Sequence, residues 1–368
     1  MSKISIYVSN ELLKPANYYR IVQYAKEIED AEVHNIYPTR LFEHTIKNRD
    51  KFFVRRIYNK LLRRIANKRI IKYLKKDLNN LPKYVVIQKS MTKYMMNRKA
   101  RKLQEELLSK TKLIWDFDDH IIEDGQIQNE DFLLYASKAD KIIVTSNYLK
   151  NILPRNSRKK VMLLPTSDMD MYIGKDKLNE VNKSRLSRMD KEIELLWLAT
   201  SANIPHLKSI VSKLELAAKI LEIKYKKKLI LKVVCDKKIN IKCYHLKIVN
   251  IKWTREVAIR ETRNASIGIM PLIETNYSKG KGGFKLIQYM STGLPVIASN
   301  VGYNKELFKG DIGYLLDDKK NKASWVDAIV ELSTNKDKWT SCSKNALKVW
   351  EEHFNAYDNL KVWKNILK

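Results

Sequence analysis

Short apolar runs alternate with longer amphipathic stretches along all 368 residues. The runs are rich in Ile, Leu and Val without a polar alternation, as parallel strands buried on both faces require. A first series comprises residues 3–9 (KISIYVS), 84–90 (YVVIQKS), 112–118 (KLIWDFD), 141–146 (KIIVTS) and 160–166 (KVMLLPT). A second comprises 193–200 (IELLWLAT), 228–235 (KLILKVVC), 246–251 (LKIVNI), 265–272 (ASIGIMPL) and 295–299 (PVIAS). Helical patterns lie between them, for example over 15–30 and 50–79. Strand and helix in alternation predict an α/β protein built on parallel sheets.

Between the two series, residues 172–192 (YIGKDKLNEVNKSRLSRMDKE) are charged and lack a clear apolar face. They are expected to be a linker, giving an N-terminal domain over 1–171, a C-terminal domain over 193–345 and a terminal helix over 346–368. Two Rossmann-like halves with a hinge leave a cleft, and in such sheets ligands sit beyond the carboxyl ends of the strands. The final helix is expected to pack back toward the N-terminal domain.

Composition narrows the classes. Cys235, Cys243 and Cys342 are odd in number and scattered, which fits a reducing compartment rather than a disulfide framework. Cys235, Cys243 and His245 fit no zinc spacing. The amino-terminal MSKISIYVSN enters a strand without a signal-peptide core, and no run is long and apolar enough to span a bilayer, so a cytoplasmic location is expected. The formal charge is +30, and between Arg49 and Lys112 there are 21 Lys and Arg against four Asp and Glu. That field favours a polyanion, either nucleic acid or an anionic membrane.

Ten glycines serve the whole chain, yet three of them, Gly280, Gly282 and Gly283, fall together among Lys279, Lys281 and Lys285 just before a predicted helix. Glycines ahead of a helix let backbone N–H groups meet an anion, and lysines add full charge. The spacing is not that of a P-loop. Packing of a tight turn is the competing reading, as is a solvated helix face for Lys285.

The segment GKGGFKLIQYMSTGLPVIASNVGYNKEL resembles the donor site of GT-B-fold glycosyltransferases, the retaining group called family 4. PANYYRI, KLIWDFDDHI, KADKIIVTSNYLKNIL, VMLLPTSDMDMY and LLWLATSANIPHLKSI resemble further loops of that fold in order. The resemblance implies a nucleotide-sugar donor whose diphosphate is held by Lys281, Gly282, Gly283 and Lys285, with Ser201 contributing from the first strand of the second half. Gln288 falls where many relatives carry the second glutamate of an E-x7-E pattern, and the first falls at Gly280; Gln288 is then expected to bond the nucleotide ribose. Trp253 either flanks the base or fills core. Retention of anomeric configuration is implied, with no metal or other cofactor.

WDFDDH places Asp116, Asp118 and Asp119 at the end of one strand. In the resembled fold this end faces the donor, so Asp118 or Asp119 is expected to orient or deprotonate the acceptor hydroxyl, with a turn or helix cap as the alternative. Arg20 is expected to contact phosphate or an acidic acceptor. Residues 52–74 set Val54, Ile57, Leu61 and Ile65 at helical spacing among arginines and lysines, so region 49–112 is expected to meet an anionic membrane surface carrying a lipid-linked or glycan acceptor. The resulting expectation is a peripheral, cytoplasmic-face glycosyltransferase of bacterial surface polysaccharide synthesis. The alternatives are a basic nucleic-acid-binding protein, for which interleaved aromatic platforms and a helix-turn-helix are not evident, and a sugar-nucleotide epimerase of the same fold.

Overall fold

A computed structural model describes residues 3–48, 51–317 and 324–368. The chain forms two compact units, Met1–Thr166 with Tyr357–Lys368, and Ser167–Ala356. Each carries a six-stranded, wholly parallel sheet.

In the first unit the strands are β1 (Ile4–Val8), β2 (Ala31–Asn35), β3 (Tyr84–Gln88), β4 (Lys112–Phe117), β5 (Lys141–Val144) and β6 (Val161–Leu163). Their order is β2-β1-β3-β4-β5-β6. The strands read from the sequence are present, and the interior ones are buried apart from the leading lysines Lys112 and Lys141. β2 (AEVHN) is added at an edge, where all of its residues but His34 are partly exposed and an apolar run is unnecessary. Trp115 and Phe117 anchor the core between sheet and helices.

The helix expected over 15–30 stops at Ala25 and contains a π-helical turn, Tyr18–Val22. The basic stretch is the helix Phe52–Asn79; Arg49 and Asp50 lie outside the described residues. Its second half buries Leu62, Ala66, Ile70 and Leu74 at four-residue spacing. The terminal helix Ala356–Ile366 belongs mostly to this unit, as expected: Trp363 is buried, and Asn359 donates to the Pro165 carbonyl at 2.8 Å.

The second unit holds β7 (Glu192–Leu198), β8 (Lys228–Cys235), β9 (Lys247–Lys252), β10 (Ile267–Met270), β11 (Val296–Ser299) and β12 (Gly313–Leu316). The order is β12-β11-β10-β7-β8-β9, so strand order reverses between β7 and β10. The first unit reverses between β1 and β3. At such points the loops leaving the two strands diverge to opposite faces and leave a crevice.

The expected linker is a correction. Lys175–Met189 is a helix of the second unit, with Leu178, Asn182, Arg185 and Met189 buried. The Arg185 guanidinium, fully buried, donates to the carbonyls of Thr262, Arg263, Thr292 and Gly293 at 2.9 to 3.2 Å. It thereby satisfies the ends of the helices Arg255–Asn264 and Phe284–Met290. A polar side chain fills a core position, which is why no apolar face was visible. The expected terminal helix over 346–368 is two helices, Lys336–His353 and Ala356–Ile366, broken at Phe354 and Asn355.

Candidate functional site

At the second unit's switch point, the loop after β7 carries Ser201 and His206, and the loop after β10 carries residues 271–283. One hydrogen bond joins the two loops: Ile273 N–H donates to His206 Nδ1 at 3.0 Å. That bond fixes the neutral tautomer, leaving the proton on Nε2. Burial, then the charge of Lys281, lowers the His206 pKa and favours the same neutral form.

The glycines have a packing role. Gly283 has φ +61°, and a Cβ there would lie 2.2 Å from Leu307 Cδ1. Gly302 has φ +56°, and its Cβ would lie 2.5 Å from the Lys279 carbonyl oxygen. The loops after β10 and β11 are therefore pressed backbone to side chain and backbone to backbone, a closeness only glycine permits. The helix that follows, Phe284–Met290, has seven residues, so its dipole is short and the lysines carry most of the positive field.

Lys281 Nζ stands 4.4 Å from the centre of the Tyr277 ring, and Lys285 Nζ 4.8 Å from that of Phe284. Lys285 donates to Gln288 Oε1 at 2.8 Å, and Gln288 Nε2 donates to Asp168 Oδ2 at 2.8 Å. Burial lowers the Lys285 pKa to about 8, with the Asp168 charge opposing the fall. Burial raises that of Asp168.

Two expectations are corrected here. Gln288 is buried with both ends of its amide engaged, so it bridges Lys285 to Asp168 rather than offering itself to a ribose. Ser201 gives its N–H and its hydroxyl to the two oxygens of Asp236, each at 2.7 Å, leaving neither donor for a phosphate. Trp253 follows β9 and packs half-buried against the core, the packing reading that the sequence already allowed for it.

In the first unit the three carboxylates of WDFDDH have cationic partners from neighbouring loops. Arg20, re-aimed by the π-helical turn, is 2 % exposed and forks onto Asp116 while donating to the Leu164 carbonyl at 2.6 Å and Thr166 Oγ1 at 3.3 Å. It is a buried staple joining β4 to the segment after β6, which corrects the expectation of a ligand contact. Lys89, directly after β3, sits with Nζ 3.0 Å from Asp118 Oδ1 and 2.7 Å from Asp119 Oδ2. Burial opposes its charge, yet the two carboxylates hold its pKa far above the ordinary lysine value. Its backbone has φ +60°, fixed by N–H donation to the Asp116 carbonyl at 2.7 Å and by acceptance from Trp115 Nε1 at 2.9 Å. Sequence reasoning missed Lys89; the available signal was a lysine ending an apolar strand. Asp118 and Asp119 share one ammonium, an arrangement that suits orienting a hydroxyl or stabilising positive charge. Among the described residues no group of three or more His, Cys, Asp or Glu is arranged to hold a metal ion.

Residues 202–335, which take in His206 and the whole loop after β10, match the family described as Glycosyl transferases group 1. The protein is a glycosyltransferase. No curated protein matches this glycosyltransferase. Its fold is that of the GT-B enzymes. HepE from Anabaena, solved with UDP and glucose, aligns over 100 % of this chain and 99 % of its own at 10 % identity and a TM-score of 0.62. A glycosyltransferase from Rickettsia africae aligns over the same shares, 100 % and 99 %, at 14 % identity and a TM-score of 0.60. The pneumococcal O-GlcNAc transferase GtfA, solved with UDP and GlcNAc, aligns over 81 % of this chain and 59 % of its own at 14 % identity and a TM-score of 0.54.

Proposed function

We propose that the glycosyltransferase moves a sugar from a nucleotide-sugar donor to a lipid-linked or glycan acceptor at an anionic membrane surface, with retention, in bacterial surface polysaccharide synthesis. The observation carrying this reading is the pairing of Lys281 and Lys285 with the tight Gly282–Gly283 turn beside the β7/β10 reversal, within the segment that matches the family. A diphosphate leaving group needs this concentration of positive charge. The UDP present in the HepE and GtfA structures supports a uridine donor. Asp118 and Asp119, set by Lys89, would orient the acceptor hydroxyl. The charge demand at the diphosphate is met by lysines, so no metal or cofactor enters the proposal.

The membrane part rests on the first half of the helix Phe52–Asn79. Phe53, Ile57 and Leu61 recur every fourth residue and are 77, 69 and 43 % exposed, with Arg55, Arg56, Lys60, Arg63 and Arg64 around them. An exposed apolar stripe with a basic margin fits an anionic interface better than it fits nucleic acid, which would ask for stacking platforms. No helix among the described residues is long and apolar enough to cross a membrane.

Titration with UDP and UDP-sugars tests the donor site. Binding should raise the melting temperature, and Lys285→Ala should weaken UDP by about tenfold or more, as expected for loss of a charge-assisted contact. Unchanged affinity in that variant would remove the site. Vesicle flotation tests the surface: equal partitioning onto neutral and acidic vesicles at low salt would end the membrane proposal.

A further inference from the structure

The first unit has its own switch point, between β1 and β3, and it is lined by cations that the carboxylates nearby do not neutralise. Lys14 ends the loop after β1, and Lys93 lies on the loop after β3. Beneath them three rings form a row. Phe42 stacks on Tyr37 with centroids 5.1 Å apart, and Tyr37 meets Tyr94 edge to face at 6.1 Å. Lys14 Nζ stands 5.7 Å from the centre of Phe42, and Lys93 Nζ 5.2 Å from that of Tyr94, so the ammoniums mark the two ends of the row. The row is pinned by the Tyr37 hydroxyl, which shares a hydrogen bond with Thr92 Oγ1 at 2.9 Å and accepts the Lys93 N–H at 3.2 Å.

Both lysine side chains are exposed, and among the described residues neither ammonium lies within ion-pair distance of a carboxylate. Lys89, the third cation of these loops, is already matched by Asp118 and Asp119. We infer that Lys14 and Lys93 bind the phosphoryl groups of a phosphate or diphosphate ester carried by the acceptor, the aromatic row packed in the core beneath them fixing where the two ammoniums stand. The inference rests on the glycosyltransferase reading above in calling the ligand the acceptor; the anion site itself stands on the first unit alone.

The electrostatics agree. Crowding by protein, followed by the charges of Lys89 and Lys93, lowers the Lys14 pKa to about 8, with Asp124 and Asp119 opposing. Partial loss of hydration against the surrounding protein, then Arg55, lowers that of Lys93, with Asp124 opposing. Mutually repelling cations at a ligand crevice destabilise the free protein, and a multiply charged anion relieves that repulsion. A diphosphate spans two cations where a single carboxylate would satisfy one. The β1/β3 position also puts this site at the same carboxyl edge as Asp118 and Asp119 after β4, so a bound phosphate would hold the acceptor beside the carboxylates that orient its hydroxyl.

The test is calorimetric titration of the full chain, saturated with UDP so that the donor site is filled, with inorganic pyrophosphate and, separately, with farnesyl diphosphate. Lys14→Gln with Lys93→Gln should weaken the phosphate ligand at least tenfold and leave UDP affinity unchanged. Lys99→Gln with Lys102→Gln, which removes two exposed lysines elsewhere, should change neither. Weakening of farnesyl diphosphate alone would assign the site to a lipid-borne phosphate, and weakening of pyrophosphate alone to a soluble one; either supports the inference. Equal affinities in wild type and the double variant, or no binding of either ligand by wild type, would overturn it. Should UDP fail to bind, the donor-site proposal fails instead, and the same comparison on the UDP-free chain still decides the anion site.

Discussion

Gln288 Nε2 donates to Asp168 Oδ2 at 2.8 Å, across 120 positions of sequence. The bond explains why an amide stands at 288. Asp168 is buried and its other oxygen already accepts the Asp170 N–H at 3.0 Å, so the group facing it must donate. A carboxylate there would lose that bond and set two anions against each other; an amide also accepts from Lys285 at its other end.

Gln288→Glu therefore destabilises the second unit by about 1–3 kcal/mol, the usual cost of turning a buried donor–acceptor pair into two acceptors. The sign with pH follows from the carboxyls. Asp168 already has a raised pKa from burial, and a second carboxylate raises it further. The folded state then holds more protons than the unfolded one, so stability falls as pH rises through that raised value. Urea unfolding at pH 5 and pH 8 should show the larger loss at pH 8; a larger loss at pH 5 would mean that Lys285 ion-pairs with the new glutamate and dominates.

The Lys89 triad predicts a separable pair of effects. Lys89→Met leaves Asp118 and Asp119 without their cation, and breaking such a partly buried pair costs about 3–5 kcal/mol. Lys89→Gly makes the same loss but removes the strain of φ +60°, so it should be less destabilising than Lys89→Met by up to about 1 kcal/mol. In wild type the raised lysine pKa gives a contribution fully present below the unfolded value and lost only in strong alkali, so it is flat between pH 5 and 9. In both variants the orphaned carboxyls favour protonation, and stability should decline from pH 4 to pH 7. Denaturation curves across that range check both statements.

Arg185 predicts a large effect from a residue that has no carboxylate partner among the described residues. Its guanidinium answers four carbonyls at two helix ends, and burial lowers its pKa to about 9. Arg185→Met should cost at least about 3 kcal/mol, since several buried carbonyls lose their donor together. Arg185→Lys keeps the charge but not the fork, and should recover only part. Chemical denaturation of the two variants separates the cases; a loss under 1 kcal/mol in Arg185→Met would show that the helix ends are satisfied another way.

These residues also mark where sequence reading stops. Interior parallel strands were legible because burial on both faces leaves an unbroken apolar run, as in ISIYV of β1. The edge strands β2 (AEVHN) and β12 (GYLL) were not, since one is polar and the other short. The glycine–lysine loop was visible as a local anomaly of composition. The partners of Gln288, Ser201, Arg20 and Lys89 were not, because each pairing is made by the tertiary fold between loops distant in sequence. Local pattern locates loops; which side chains neutralise one another within them depends on strand order.

His206 offers the most direct probe of the β7/β10 crevice. Its Nδ1 is the acceptor that ties the loop after β10 to the loop after β7, so His206→Leu should free the Ile273 N–H and raise hydrogen exchange across residues 271–283. The variant leaves the two sheets untouched, and the core amides of β7 and β10 should keep their protection. Because burial and Lys281 depress the imidazole pKa, the neutral ring contributes stability that is present above the unfolded value near 6.5 and is lost as pH falls through the folded one. Wild type should therefore lose stability below about pH 6 relative to His206→Leu, which carries no such proton. Exchange measured by mass spectrometry at one pH, with melting curves between pH 5 and 8, tests both halves; unchanged exchange over 271–283 would mean that the His206–Ile273 bond does not hold the loop.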